Sequence, residues 1–261
     1  MRKLYLLIFC LLGLAGTLSA QSDFRLRLYP QVAVGANNDI RCPNNSDGTL
    51  LSLPGDLHRT SAAVFAPRVE FEYAYRRHHI MLAAVFVREN FTGHASEPIH
   101  FNQALFATGS SIDALYRFDT YRLSYRYRLV NRPKFQLELG ATALLRDAMV
   151  AMTGDNQHSE FYNLGVVPLI SYYIGWTPIS ALTVYSYGDG LVSKYGRAED
   201  IFAGVKYDVH PNIGILAGYR LIEGGSNVKS VYTFALYHFL SIGLEIHFWP
   251  ARHPNSAAKR S

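Results

Sequence analysis

Residues 121–129 read Tyr-Arg-Leu-Ser-Tyr-Arg-Tyr-Arg-Leu, a strict alternation of apolar and polar side chains. Successive side chains of a β-strand point to opposite faces of a sheet, whereas one face of a helix repeats every three to four residues. The stretch therefore predicts a strand with one apolar face and one face that carries arginines.

The same period of two extends over most of the chain. It is visible in residues 24–35, 64–76, 134–146, 162–176, 201–210, 213–221 and 232–248. Residues 79–91 and 181–188 are also typical of strands, but their pattern does not decide which side chains share a face. We expect about ten strands, with eight or twelve as alternatives.

The predicted connections alternate in length. Short turns are expected at residues 77–78, 131–133, 177–180 and 210–212. Long polar loops are expected at residues 37–61, 93–111, 147–160, 189–198 and 223–230, which are rich in Gly, Asn, Asp and Ser. Short turns at one end and long loops at the other are typical of bacterial outer-membrane barrels.

The first twenty residues have the pattern of a secretory signal peptide. Arg2 and Lys3 are followed by an apolar stretch over residues 4–16, and Ala20 is a suitable last residue before cleavage. The mature chain would then keep a single cysteine, Cys42, which excludes an internal disulfide bond.

Composition narrows the remaining classes of protein. The 261 residues are 49% apolar and 17% charged, which excludes a disordered chain. After the signal segment, no apolar run approaches the roughly 20 residues that a membrane-spanning helix needs. A formal net charge of +5, without a recognisable binding motif, gives no reason to expect a nucleic-acid partner.

The alternation alone fits a soluble β-sandwich or barrel as well as a membrane barrel. Charges of both signs share the polar faces, and an arginine that faces lipid costs roughly 2–4 kcal/mol at the bilayer midplane. Aromatic residues also lie near the predicted strand ends, as in the girdles of membrane barrels. We therefore predict an all-β fold, a closed antiparallel up-and-down transmembrane β-barrel over residues 21–248. Pro30, Pro67 and Pro168 fall inside strand patterns, so bulges or late strand starts are expected there.

Residues 241–248, Ser-Ile-Gly-Leu-Glu-Ile-His-Phe, resemble the C-terminal assembly signal of Gram-negative outer-membrane β-barrel proteins. The residues that match the signal are Ser241, Gly243, Ile246 and Phe248. The resemblance implies recognition by the barrel-assembly machinery. Because the chain enters and leaves at the end with short turns, we expect periplasmic N- and C-termini, and we expect outer-membrane lipid and lipopolysaccharide as partners. The signal usually ends the chain, whereas residues 249–261 extend beyond it here and would form a polar periplasmic tail.

The polar faces predict the lining of the barrel lumen. The basic residues assigned to it are Arg25, Arg27, Arg68, Arg76, Arg122, Arg126, Arg128, Lys134, Arg146, Lys206 and Arg220. The acidic residues are Glu70, Glu72, Glu138, Asp208 and Glu245. This narrow cationic lumen is interpreted either as a network of ion pairs that fills the barrel or as a small pore that prefers anions.

Two groups of residues are candidates for catalysis. His94 and Ser96 have a His-x-Ser spacing, which resembles that of membrane-embedded phospholipases and lipid A deacylases. Asp155 and His158 lie in a predicted outer loop, where a protease of the omptin type needs acidic and histidine side chains to activate water.

The sequence predicts a structural or permeability role in the outer membrane, without a cofactor or a metal ion. A hydrolase acting on lipid or peptide at the outer rim remains an alternative. A surface receptor or adhesin that uses loop 37–61 is another. The sequence does not decide between them.

Overall fold

A computed structural model describes residues 22–248 of the chain. The predicted signal peptide, residues 1–20, and the predicted tail, residues 249–261, lie outside this range. Apart from one helical segment of four residues, the regular elements are strands. No helix in the described range is long and apolar enough to cross a membrane.

The elements follow one another in a simple order. They are β1 (Ser22–Tyr29), β2 (Val32–Arg41), β3 (Leu51–Ser52), α1 (Leu53–Asp56), β4 (His58–Arg59), β5 (Val64–Phe65), β6 (Arg68–Tyr75), β7 (His78–Val85), β8 (Arg88–His94), β9 (Ile99–Phe101), β10 (Ala104–Phe106), β11 (Ser111–Arg132), β12 (Phe135–Gly154), β13 (Gln157–Ile179), β14 (Leu182–Ser193), β15 (Gly196–His210), β16 (Ile213–Val228) and β17 (Val231–His247).

Ten of these strands form a closed ring in the order β1, β6, β7, β11, β12, β13, β14, β15, β16 and β17. Every ring neighbour is antiparallel, and the register pair of Leu28 with Leu244 joins β17 back to β1. The predicted closed antiparallel barrel is confirmed. The described strands number 17, more than the roughly ten expected, because three ring strands continue beyond a break and the long connections add short strands.

The three prolines behave differently. Pro30 separates β1 from β2, and Pro67 directly precedes β6, as expected for a residue without an N–H for the ladder. Pro168 instead lies within β13, in unbroken register with β12, so the expected bulge is absent there. The ladder between β13 and β14 ends at the pair of Ile170 with Gly190, just short of the proline.

The two ends of the barrel are unlike. At one end, which we call the turn end, adjoining ring strands are connected by two residues, at 76–77, 133–134, 180–181 and 211–212. At the opposite loop end, the chain makes long connections between β2 and β6 and between β8 and β11.

The prediction of a long loop is wrong for three segments. Residues 147–160, 189–198 and 223–230 are strand hairpins with two-residue turns. In the first of them, Asp155 and Asn156 have φ values of 48° and 63°, the left-handed conformation of a tight hairpin turn. A strand that projects beyond the apolar outer surface can be polar on both faces. The polar composition of these segments therefore predicted loops where the structure has strands.

The apolar side chains of the ring strands face outward and remain exposed. Val166 is 70% exposed and Leu240 is 71% exposed, whereas the inward-facing Arg68 and Arg220 are at most 2% exposed. We call this outward surface the apolar belt. Its members include Val34, Val69, Leu82, Leu123, Leu139, Leu164, Val166, Ile170, Val184, Ile201, Ile215, Leu240 and Ile242.

A large apolar cluster fills the loop-end half of the interior. The long connections contribute Leu53, Leu57, Phe101 and Phe106 to it, all at most 1% exposed. These side chains pack with strand residues of the interior, among them Phe91. We call this cluster the apolar cap. The segments 37–61 and 93–111, expected to be polar loops, therefore supply much of the core of this half.

Candidate functional site

Charged side chains fill the turn-end half of the interior, because alternate residues of each ring strand point inward. We call them the ionic layer: Arg27, Arg68, Glu70, Glu72, His79, Arg122, Arg126, Glu138, Asp189, Asp200, Arg220 and Glu245. All are buried. Buried charges are retained when they are paired and hydrogen-bonded, so the partners of each decide what the layer does.

Some pairs connect neighbouring strands. The guanidinium of Arg27 on β1 lies 2.8 Å from Glu72 and 3.4 Å from Glu70, both on β6. The same guanidinium donates to Glu245 on β17. These contacts follow the register, in which Arg27 is paired with Glu70 on one side and with Glu245 on the other.

Other pairs cross the lumen. Asp200 on β15 accepts hydrogen bonds from Arg220 on β16 and from Arg68 on β6, the latter at 2.9 Å. Arg122 on β11 lies 3.4 Å from Asp200 and 3.3 Å from Asp189. Because β6 and β11 do not adjoin β14 or β15 in the ring, these bridges block the space between them.

A histidine and tyrosines complete the layer. His79 lies between two carboxylates, with Nδ1 2.8 Å from Glu72 and Nε2 3.1 Å from Glu138. The hydroxyl of Tyr187 donates to Glu70 at 2.6 Å and accepts from Arg220 at 2.5 Å. His79, through Nδ1, and Tyr187 therefore each share a hydrogen bond with a buried carboxylate, while Nε2 of His79 has an ionic contact without a hydrogen bond.

The Arg220 guanidinium also lies against an aromatic cluster. Its central carbon is 5.1 Å from the ring centroids of Tyr187 and Phe202, and 5.9 Å from that of Tyr29. Tyr185 packs on Tyr187 and Phe202 with centroid distances of 5.9 Å and 5.4 Å. These rings hold Arg220 in the middle of the lumen.

The balance of charge differs from the sequence prediction of a cationic lumen. The ionic layer contains five arginines and six carboxylates. Sequence analysis missed Asp189 because it lies in the predicted loop 189–198, and missed Asp200 because it directly precedes the predicted strand 201–210. Arg76 and Lys134 are exposed at the turns, and Arg146 lies in the loop-end half, so they do not belong to the layer.

The other predicted lumen residues lie at the edge of the layer. Arg128 donates to Glu138 at 2.8 Å, and Arg25 pairs with Asp23. Lys206 lies 3.0 Å from Glu245 and 3.2 Å from Asp208. Each of these partly buried bases therefore has an acidic partner.

The candidate catalytic residues are exposed, and within residues 22–248 no hydrogen bond or ion pair joins them to one another. His94 and Ser96 are both exposed, and neither side chain makes a hydrogen bond to another described residue. Asp155 is exposed in the turn of the β12–β13 hairpin, and His158 contacts the hydroxyl of Thr153 at 2.8 Å. His158 Nε2 also lies 3.8 Å from the carboxylate of Glu160, and both side chains are exposed.

Within residues 22–248, one group of side chains has the spacing of metal ligands. Ligand atoms of Asp208, Glu245 and His247 lie within 4.8 Å of one another. The ammonium of Lys206 already contacts both carboxylates. The group is therefore a salt-bridge cluster, whose positive charge comes from the protein itself.

The residues of the predicted assembly signal lie in or directly after β17. Ser241 is buried and donates a hydrogen bond to the side-chain oxygen of Gln31 at 2.8 Å. Gly243 lies against Tyr29, where a Cβ would come within 2.6 Å of the ring. Phe248 is exposed, and its N–H donates to the carbonyl of Phe24 at 3.0 Å. Ser241 and Gly243 thus face the β1–β2 junction, where the ring closes.

Comparison with solved structures finds outer-membrane barrels. Outer membrane protease OmpT from Escherichia coli matches with a TM-score of 0.51 and 12% identity, over 89% of this chain and 99% of its own. Neisserial surface protein A has a TM-score of 0.35 and 16% identity, over 87% of this chain and 97% of its own. Ail of Yersinia pestis has a TM-score of 0.37 and 11% identity, over 87% and 99%.

The sequence matches no family model and no curated protein. At 12% identity, the similarity to OmpT establishes the architecture and not the activity. The chain has the fold of an outer-membrane β-barrel protein.

Proposed function

We propose that this protein is a closed structural barrel of the Gram-negative outer membrane, which strengthens the envelope without forming a pore. The barrel fold and the apolar belt support this location. Lipid offers no partners to backbone groups, so strands that span it must pair around a ring. Short turns in such barrels face the periplasm, so the turn end and both termini would lie there.

The observation that carries the proposal is the set of ion pairs across the lumen. Asp200 bonds Arg68 from the far side of the ring, and Arg122 contacts Asp189 in the same way. Barrels of about eight strands are filled by side chains, whereas open channels occur near sixteen. A ring of ten strands with paired charges inside belongs to the filled class.

The apolar cap closes the interior a second time. Leu53 and Phe106 come from the long connections and are completely buried in it. An ion that passed through the barrel would have to cross this apolar region without water. The cap buries Ile40, Leu51, Leu53 and Leu57 of the 37–61 segment, whereas residues 45–47 of the same segment are exposed.

Conductance in planar lipid bilayers tests the proposal. Folded protein, whose insertion is verified by its heat-dependent migration on gels, should leave the bilayer as insulating as lipid alone. A general porin reconstituted in parallel gives the positive control. Discrete current steps with a reversal potential that indicates anion preference would establish the small pore instead.

We also propose that the barrel-assembly machinery recognises β17. Its support is the match of Ser241, Gly243, Ile246 and Phe248 to the assembly signal and the position of β17 at the closure of the ring. Lipid and lipopolysaccharide would then contact the apolar belt.

A further inference from the structure

The ladder between β13 and β14 stops well before the loop end. It runs from the pair of Ile179 with Leu182 to the pair of Ile170 with Gly190. Residues 157–169 of β13 pair with β12 on one side and with no described strand on the other. The adjoining β14–β15 hairpin continues to the pair of Ser193 with Gly196. We call the gap between residues 157–169 and residues 191–198 the seam.

The seam opens at the level of the apolar belt. On the outward face beside it, Tyr162, Leu164 and Val166 are 49%, 55% and 70% exposed. Backbone groups without partners are tolerated at membrane depth only where they are covered or line a wet cavity. The carbonyl of Glu160 on this edge accepts a hydrogen bond from the side chain of Asn102 at 2.8 Å. The rest of the edge, residues 161–169, has no strand partner and requires an occupant, either water or a bound molecule.

An unpaired arginine lies directly behind this edge. Arg146 is 9% exposed, and its Nε is buried without a hydrogen-bond partner. Among the described residues, its guanidinium has no carboxylate partner and lies 5.9 Å from the ring of Phe118. Each arginine of the ionic layer has at least one carboxylate. A buried guanidinium without a counter-ion is costly, so Arg146 is ready to bind an anion.

The β13 residue that lies between the seam and Arg146 is a glycine. Arg146 is in register with Gly165 on β13, which contributes no side chain. Inward-facing Asn163 beside it is exposed, so the interior is accessible here. A Cβ built on Gly165 would meet only Asn163, at 3.4 Å. Access from the seam to Arg146 thus depends on a glycine.

The space beside Arg146 and Asn163 is small and partly apolar. Arg146, Phe118, Phe161, Ser226 and Thr233 line a cavity of about 20 Å³, which is the size of a single water site. It leaves room beside the guanidinium for one oxygen of a charged head group and not for a whole molecule. Toward the turn end, the seam meets a small apolar cluster of Leu144, Val167, Leu169 and Ala198.

We propose that the seam binds one anionic amphiphile with a single chain, whose carboxylate or phosphate pairs with Arg146. Its hydrocarbon chain lies along the unpaired edge of β13, beside the outward-facing Leu164 and Val166 and open to the surrounding lipid. The charge of Arg146 selects the anionic head, and the position of the seam in the apolar belt selects the chain. The inference rests on the proposed location in the outer membrane.

Equilibrium binding of a spin-labelled long-chain fatty acid tests this site, with the folded protein in an uncharged detergent. The wild-type protein should immobilise about one equivalent. Arg146→Met should weaken binding about tenfold or more, as expected for loss of a hydrogen-bonded charge. Gly165→Phe should block binding while Arg146 remains. Arg132→Met, at an exposed arginine of the turn end, is the matched control and should bind normally.

Competition identifies the head group. Displacement of the probe by oleate or by lysophosphatidic acid supports the proposal, and the stronger competitor identifies carboxylate or phosphate as the preferred head group. A monoacylglycerol of the same chain length should compete poorly because it is uncharged. Equal binding by wild type and Arg146→Met, equal competition by the monoacylglycerol, or no binding by the wild type would overturn the proposal. None of these outcomes depends on conductance, so the closed-barrel proposal is judged separately.

Discussion

Replacing Asp200 by asparagine tests the bridges across the lumen. The change keeps the size of the side chain and removes a buried carboxylate that contacts Arg68, Arg122 and Arg220. Removing one partner of a buried ion pair costs about 3–5 kcal/mol, because it leaves a buried charge uncompensated.

The loss is not three times that value, because each of the three arginines keeps a second carboxylate. Glu70 lies 2.6 Å from Arg68 and 3.5 Å from Arg220, and Asp189 lies 3.3 Å from Arg122. We therefore expect Asp200→Asn to lower the free energy of unfolding by about 3–5 kcal/mol in total.

Asp147→Asn is the matched control. Asp147 makes a single, partly exposed ion pair with Arg117 at 2.7 Å, and such pairs contribute about 0–1 kcal/mol. Urea unfolding of both variants in detergent micelles, followed by tryptophan fluorescence and by gel migration, measures the difference. A loss in Asp200→Asn no larger than that in Asp147→Asn would refute the account of the ionic layer.

Two further predictions concern the ends of the barrel. Burial raises the pKa of the Cys42 thiol to about 11, so its alkylation in the folded protein should keep rising about tenfold per pH unit beyond pH 9. In the urea-unfolded chain, alkylation should level off near the ordinary thiol pKa, and a plateau below pH 9 in both states would contradict this. Phe248→Ala should lower the amount of folded barrel in the outer membrane in cells, because it removes the aromatic end of the assembly signal. Leu240→Ala, in β17 but outside the signal, should assemble normally, and equal assembly of both variants would count against recognition of this segment.

The alternation of the sequence was sufficient to predict the barrel and its two faces. In 121–129 the apolar residues face outward and the arginines face inward, because the period of two is a local property of a strand. The alternation did not predict the faces of residues 181–188, where Tyr185 and Tyr187 face inward and Val184 is exposed outward. Aromatic residues lie on both faces there, so hydrophobicity does not distinguish the lumen from the outside.

The interior itself depends on contacts between residues far apart in sequence. Asp200 meets Arg68 across the ring, 132 residues apart, and no local pattern predicts such a pair. Leu53 and Phe106 lie in segments whose average composition is polar, and only the fold brings them together in the apolar cap. That Arg146 has no carboxylate partner among the described residues likewise follows only from the folded structure, because the sequence does not show which acidic residues lie near it.

The contact of the apolar belt with lipid is the central claim, and quenching by brominated lipid measures it most directly. In a background without Trp176 and Trp249, Tyr219→Trp places a single tryptophan outward, where the tyrosine is 47% exposed. Tyr185→Trp places one inside, where the tyrosine is 7% exposed. The account predicts strong quenching of the first and little quenching of the second. Equal quenching of the two, or none of the outward tryptophan in a protein that stays folded without lipid or detergent, would contradict it.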